Sequence, residues 1–242
     1  GGTIFSQAQA QTVLKVGLID PPNHIDTQAA RRFGEIVADR TDGEVKVEVY
    51  PSAQLGNAMD LLQGMQAGTV EMFVGATTWL GAFETDYWIS GSLYIFDDQE
   101  QAREVHQSEK FDQLAEQIRE EHGIHVLTQD WDRGPRNFIS TKPIETLEDL
   151  EGLKIRVPGS SIYNSIWNNL GANPVNMAWG EVYTSLELGT IDGIEQPVHV
   201  LLPHSIDEVV DYITMSNYLT GFVFVTYNKK FFNNINSEHK QI

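Results

Sequence analysis

Arg156 stands near the carboxyl end of a strand-like run, Leu153 to Val157; Pro158-Gly159 then turn the chain, and Ser160 and Ser161 open a helical pattern. The free N–H groups and positive end of a helix favour an anion, and a guanidinium grips a carboxylate through two parallel hydrogen bonds. The chemistry on offer is carboxylate capture. An ion pair with one of the chain's 34 acidic residues is the competing use of Arg156. Gln196-Pro197 repeats the layout of strand end, polar side chain and helix start. Strand ends of this kind face the clefts in which open α/β sheets bind ligands. Trp179, just before a helical pattern, and Trp79, just after the strand-like Val70 to Gly75, suit the walls of such a cleft, with core packing the alternative for each. Asn23, His24 and Trp79, in the first half of the chain, are candidate contacts for the far side of a ligand held by Arg156.

Bond-breaking templates are missing. There is no G-x-G-x-x-G after the first strand, no G-x-x-x-x-G-K-[ST], no G-x-S-x-G and no H-E-x-x-H. The chain has no cysteine, which removes disulfides, thiolate metal sites and cysteine nucleophiles. His122 and His125 are parted by the helix-stopping Gly123, so no metal is expected. Asp130 and Asp132 read as ion-pair partners of Arg133 and Arg136 rather than as an acid/base couple. An enzyme using Asp130, Asp132 or Glu195 is the least favoured reading, and no cofactor is called for.

The elements that must position these residues alternate. Val13 to Ile19 reads as a strand, broken by Asp20-Pro21-Pro22-Asn23, and Asp26 is expected to cap the helix that follows. Val45 to Val49 is a half-buried strand, Leu61, Leu62 and Met65 mark a helix ended by Gly68, and one long helix is expected from about Asp98 to Glu121. His125 to Gln129 and Phe138 to Ser140 read as strands on either side of a break at Arg133-Gly134-Pro135-Arg136. Ser160 or Ser161 opens a helix that Gly171 ends, Pro197 opens another, and Tyr212 to Met215 and Phe222 to Tyr227 are separate strands. Strands alternating with helices predict an α/β fold. At the end, Ser237 looks like the cap of a further helix, so the native chain is expected to run on past Ile242.

The 242 residues suit one large or two modest domains, with 41 % apolar residues and a net charge of −18 that repels phosphate backbones and anionic membranes. Nucleic acid is excluded as a partner. No apolar run approaches the roughly 18 residues of a membrane span. Ala8 and Ala10 carry the A-x-A spacing of a secretory cleavage site.

The run Leu150-Glu151-Gly152-Leu153-Lys154-Ile155-Arg156-Val157-Pro158, then Gly171-Ala172-Asn173-Pro174-Val175-Asn176-Met177, Glu181-Val182-Tyr183 and Ile191-Asp192-Gly193-Ile194-Glu195-Gln196-Pro197, resembles the DctP-type solute-binding proteins of TRAP transporters. Upstream, Ser52-Ala53-Gln54-Leu55-Gly56-Asn57 and Gln66-Ala67-Gly68-Thr69-Val70-Glu71-Met72 match the same pattern, and the likeness runs from about Leu14 to Phe232. It implies a two-domain periplasmic-binding-protein fold with mixed, mostly parallel sheets and an interdomain cleft. Domain I would be 11–131 plus 217–242 and domain II 132–216, with crossovers near Gln129 to Arg136 and Ser216 to Gly221; 1–10 would be a leader remnant or a linker. It further implies a periplasmic monomer that delivers an organic acid to TRAP membrane subunits without inserting into the membrane. On this pattern Arg156 clamps the carboxylate, Arg136 is a second arginine of the site, Trp179 stacks on the ligand, and Gln196 stands where an asparagine is common. An extracytoplasmic sensor module on the same fold is the alternative.

Overall fold

The computed structural model describes residues 11–242; Ala8, Ala10 and the leader reading of 1–10 lie outside the described residues. The first half runs β1 (Thr12–Gly17), α1 (Ile25–Arg40), β2 (Val45–Tyr50), α2 (Ala58–Ala67), β3 (Met72–Ala76), two 3-10 segments, α3 (Gln99–His106) and α4 (Glu109–His122). There follow β4 (Ile124–Ser140), β5 (Lys154–Val157), α5 (Ser161–Asn169), β6 (Asn173–Asn176), α6 (Val182–Glu187), β7 (Gly193–Gln196), β8 (Tyr212–Asn228) and α7 (Lys229–Asn234). All eight strands join one mixed sheet in the order β2-β1-β3-β8-β4-β7-β5-β6. Four of its seven pairings are parallel; the three antiparallel ones all involve β4 or β8.

Each half has its own core. One buries Leu61, Leu62, Met65, Phe73 and Ile118 together and Val16, Leu18 and Val225 on another face; the other buries Val157, Tyr163 and Trp167, and separately Ile139, Ile191 and Ile194. Separate cores on a shared sheet make two lobes, linked where β4 and β8 pass from one to the other.

Those crossings differ from the expected breaks. β4 and β8 are continuous 17-residue strands, and Arg133 to Arg136 and Ser216 to Gly221 lie inside them. Register shifts at Asp132/Gly134 and Arg136/Phe138 absorb the irregular residues as bulges. Gly134 has φ +78°, and a Cβ on its partner Gly221 would lie 2.9 Å from the Gly134 carbonyl, so glycine is what lets the two backbones touch.

Four other expectations are corrected. His24, not Asp26, caps α1: its Nδ1 accepts the Asp26 N–H, and Asp26 sits in the first turn. The helix expected over 98–121 is two, because Ser108 takes extended backbone and its hydroxyl donates back to the Val105 carbonyl, competing with the helix ladder. Pro197 opens only short 3-10 turns: Pro203 lacks an N–H and Ser205 is left-handed at φ +54°. Ser237 caps nothing; the last turn is the 3-10 segment His239–Gln241.

One acid-stability prediction arises here. His106 is fully enclosed, bonded to Ser90 Oγ and the Ala102 carbonyl at 2.7 Å each, and burial lowers its pKa from 6.5; burial also lowers that of His24. The unfolded chain therefore takes up protons first as pH falls below about 6.5, and stability present above that pH is lost, by at most about 1.4 kcal/mol per pH unit per histidine. Denaturant midpoints are expected to drop between pH 7 and 5. A flat profile in that window would rule out neutral burial of both rings.

Candidate functional site

Between the lobes lies a cavity of about 690 Å³, lined by Ile19, Ser52, Asn57 and Trp79 from one side and Arg156, Asn176, Trp179 and His204 from the other. A smaller recess of about 40 Å³, also lined by Trp79, Arg156 and Trp179, reaches Arg133, Arg136, Tyr163 and Gln196. Local sequence explains the rim. Asn57 caps α2 in a reciprocal box with Asp60, which fixes both at the mouth. Arg156 is the third residue of β5, next to the chain turn that starts α5.

Arg156 is 6 % exposed, yet no carboxylate pairs with it among the described residues. Its Nε and Nη2 both donate to the Met177 carbonyl, at 3.0 and 2.9 Å. Its guanidinium lies 5.2 Å from the centre of the Trp179 ring, a cation–π contact that holds both groups. Burial pulls its pKa down to about 10, with Glu195 opposing and Arg136 adding to the fall. It stays charged at neutral pH, a buried cation short of an anion.

Arg136 is differently placed. Its fork closes on Glu195: Nε donates to Oε2, Nη2 to Oε1 at 2.7 Å and to the Glu195 carbonyl at 2.9 Å, while Tyr218 donates to Oε2. Arg133 donates to Asp26 at 3.0 Å and lies 3.7 Å from Asp20. The expected pairing of Asp130 and Asp132 with these two arginines is not found, because both arginines turn to other carboxylates; Asp130 accepts from Gln107 and Thr128, and Asp132 from Gln99 and Arg103.

The structure therefore brings Arg156, Arg136, Trp179, Gln196 and Trp79 onto one cleft and its recess. Gln196 is 6 % exposed and lines the recess, and its Oε1 is buried without a partner. Asn23 and His24 stand apart. Asn23 is exposed, and its carbonyl accepts from Gln28; His24 has no exposed surface and caps α1 behind the cleft wall. Neither lines the cavity or the recess. Sequence reasoning missed Asp20, as well as His204, whose Nδ1 accepts the Trp179 indole N–H at 2.8 Å and whose Nε2 lies 3.3 Å from Asp20. His204 falls in the stretch read as a helix opened by Pro197, and nothing local signals a partner 184 residues away.

Two lobes on a shared sheet, a cleft between them and an unpaired buried arginine in its wall define a ligand-binding protein rather than a scaffold or a nucleic-acid binder. The chain belongs to the bacterial extracellular solute-binding proteins, family 7 (DctP), whose model matches residues 16–242. It is 35 % identical over 219 residues to a solute-binding protein of Roseobacter denitrificans, covering 90 % of this chain and 66 % of that one. It is 32 % identical to the C4-dicarboxylate-binding periplasmic protein DctP of Rhodobacter capsulatus, covering 92 % and 67 %. A crystal structure of a TRAP periplasmic solute-binding protein of Roseobacter denitrificans with bound L-galactonate superposes with a TM-score of 0.90 at 31 % identity, covering 97 % of this chain and 77 % of that one. The chain spans about two thirds of the length of the curated relatives it matches. Members of the family are solute-binding proteins rather than enzymes.

Proposed function

We propose that the chain captures a small organic acid by a single carboxylate on Arg156 and delivers it to TRAP membrane subunits, as a periplasmic monomer exported by a cleaved leader, without catalysis, cofactor or metal. The observation that carries the reading is the pairing of the buried arginines. Three arginines are buried at or beside the cleft; Arg133 faces Asp20 and Asp26, Arg136 is closed on Glu195, and Arg156 alone has only a carbonyl. One ligand carboxylate supplies the partner that Arg156 lacks. A second would meet no unpaired cation, and Asp60 and Glu181 line the outer cavity. The far end of the ligand is then neutral, with hydroxyls for Gln196 and Asn176 and an apolar edge for Trp79 and Trp179. Among the ligands of the relatives named above, L-galactonate fits this and a C4-dicarboxylate does not.

Residues 11–131 with 217–242 then move against 132–216, the bulged segments of β4 and β8 serving as hinges. A ligand touching both lobes favours their closed arrangement by its differential affinity. Calorimetry is expected to give L-galactonate at least about tenfold tighter binding than succinate, with a smaller radius of gyration by X-ray scattering at saturation. Equal or tighter binding of succinate would overturn the single-carboxylate reading. Failure of both acids to bind, without compaction, would sink acid capture altogether.

A further inference from the structure

Asp20, His24 and His204 bring a carboxylate and two imidazoles within reach of one divalent cation. The hydrogen bonds speak against that use. His24 Nδ1 accepts the Asp26 backbone N–H at 3.2 Å, and His204 Nδ1 accepts the Trp179 indole N–H at 2.8 Å. Both partners can only donate, so each Nδ1 carries a lone pair and each neutral ring has its proton on Nε2. Those are the nitrogens facing Asp20 Oδ1, at 3.3 Å from His204 and 3.9 Å from His24. A metal-ligating histidine does the reverse, donating its outer N–H to an acceptor. The cluster gathers donors around a buried carboxylate, with Arg133 Nη2 a third at 3.7 Å.

We propose that His204 is the positioning residue of the Trp179 wall: Asp20, across the cleft, keeps the imidazole proton on Nε2, so that Nδ1 is open to the indole N–H. The proposal rests on the reading of Trp179 as a wall of the ligand cleft. Asp20 follows β1 in one lobe, whereas His204 and Trp179 belong to the other. When the lobes part, His204 loses the acceptor that fixes its tautomer, and a ring protonated on Nδ1 cannot receive the indole. The orientation that stacks Trp179 on Arg156 is thus completed by closure. Closure and assembly of the ligand wall become one event.

The test uses the protein saturated with L-galactonate, in which the lobes are closed. Long-range ¹H–¹⁵N spectra are expected to show His204 as the Nε2–H tautomer and the Trp179 indole proton shifted downfield. His204→Leu moves that proton upfield, whereas His204→Gln, which offers a carbonyl to the indole and an amide to Asp20, keeps it in place. For L-galactonate, His204→Leu weakens binding about tenfold, His204→Gln less than about threefold, and His204→Leu in a Trp179→Phe background less than about twofold, because the shared interaction is already gone. An Nδ1–H tautomer, or an indole proton unmoved by His204→Leu in a folded protein, overturns the proposal. So does an equal loss in both backgrounds, which would make His204 mere filler. Disappearance of the His24 and His204 signals on adding zinc chloride would replace it with a metal site. If L-galactonate fails to bind the unaltered protein, the cleft reading falls and the proposal with it.

Discussion

Arg156→Ala is expected to weaken binding of a carboxylate ligand by roughly thirtyfold to several thousandfold. Removing one partner of a desolvated charge pair costs about 2–5 kcal/mol, and each 1.4 kcal/mol is about tenfold in affinity. The free protein should keep its fold, because the arginine holds only the Met177 carbonyl and the Trp179 face, and its own burial is unfavourable. Arg156→Lys is expected to recover part of the affinity: an ammonium restores charge but cannot grip Met177 and a carboxylate from one planar fork. Calorimetry on variants shown to be folded by circular dichroism decides the matter. Unchanged affinity in Arg156→Ala would place the anion elsewhere.

The second large effect is on stability. Glu195 is 1 % exposed and accepts from both Arg136 and Tyr218, and the pair with Arg136 raises the arginine's pKa despite its burial. Glu195→Ala leaves that guanidinium buried without a counter-ion. Breaking a buried pair from one side costs about 3–5 kcal/mol, or roughly 6–20 °C in Tm for a chain of this size. Replacing both partners by apolar residues, Arg136→Met with Glu195→Leu, is expected to recover most of the loss, since neither charge then remains to be desolvated. If the double variant is no more stable than Glu195→Ala, the loss comes from packing around Tyr218 rather than from the orphaned arginine.

The alternation of strands and helices was legible because it rests on local signals: Gly68, Gly123 and Gly171 each end an element with positive φ, as their positions in the apolar pattern foretold. Arg156 was legible for the same reason, its strand, turn and helix start lying within a few residues. The crossings were not. Gly134-Pro135 carries a turn signal, and only the facing strand, far along the chain, shows that the bulge is paired. The opposed fates of the arginines were hidden too. Arg136 meets Glu195 from 59 residues away, so nothing near it announces that its charge is taken. Asp26 was read as a cap for its residue type, yet a neighbouring imidazole does the capping and frees Asp26 to face Arg133.

The continuous pairing of β4 with β8 also sets the order in which the molecule can be built. Ile124 pairs with Asn228 and Ser140 with Tyr212, so the closing contacts of both lobes wait for one late segment. Until residues 212–228 emerge from the ribosome, β3 has no neighbour on its inner side and β4 has none on one of its two. Such long-range closure slows folding and leaves open strand edges while synthesis continues. A nascent chain of this protein therefore has no finished lobe to fold first, and its two halves become native together.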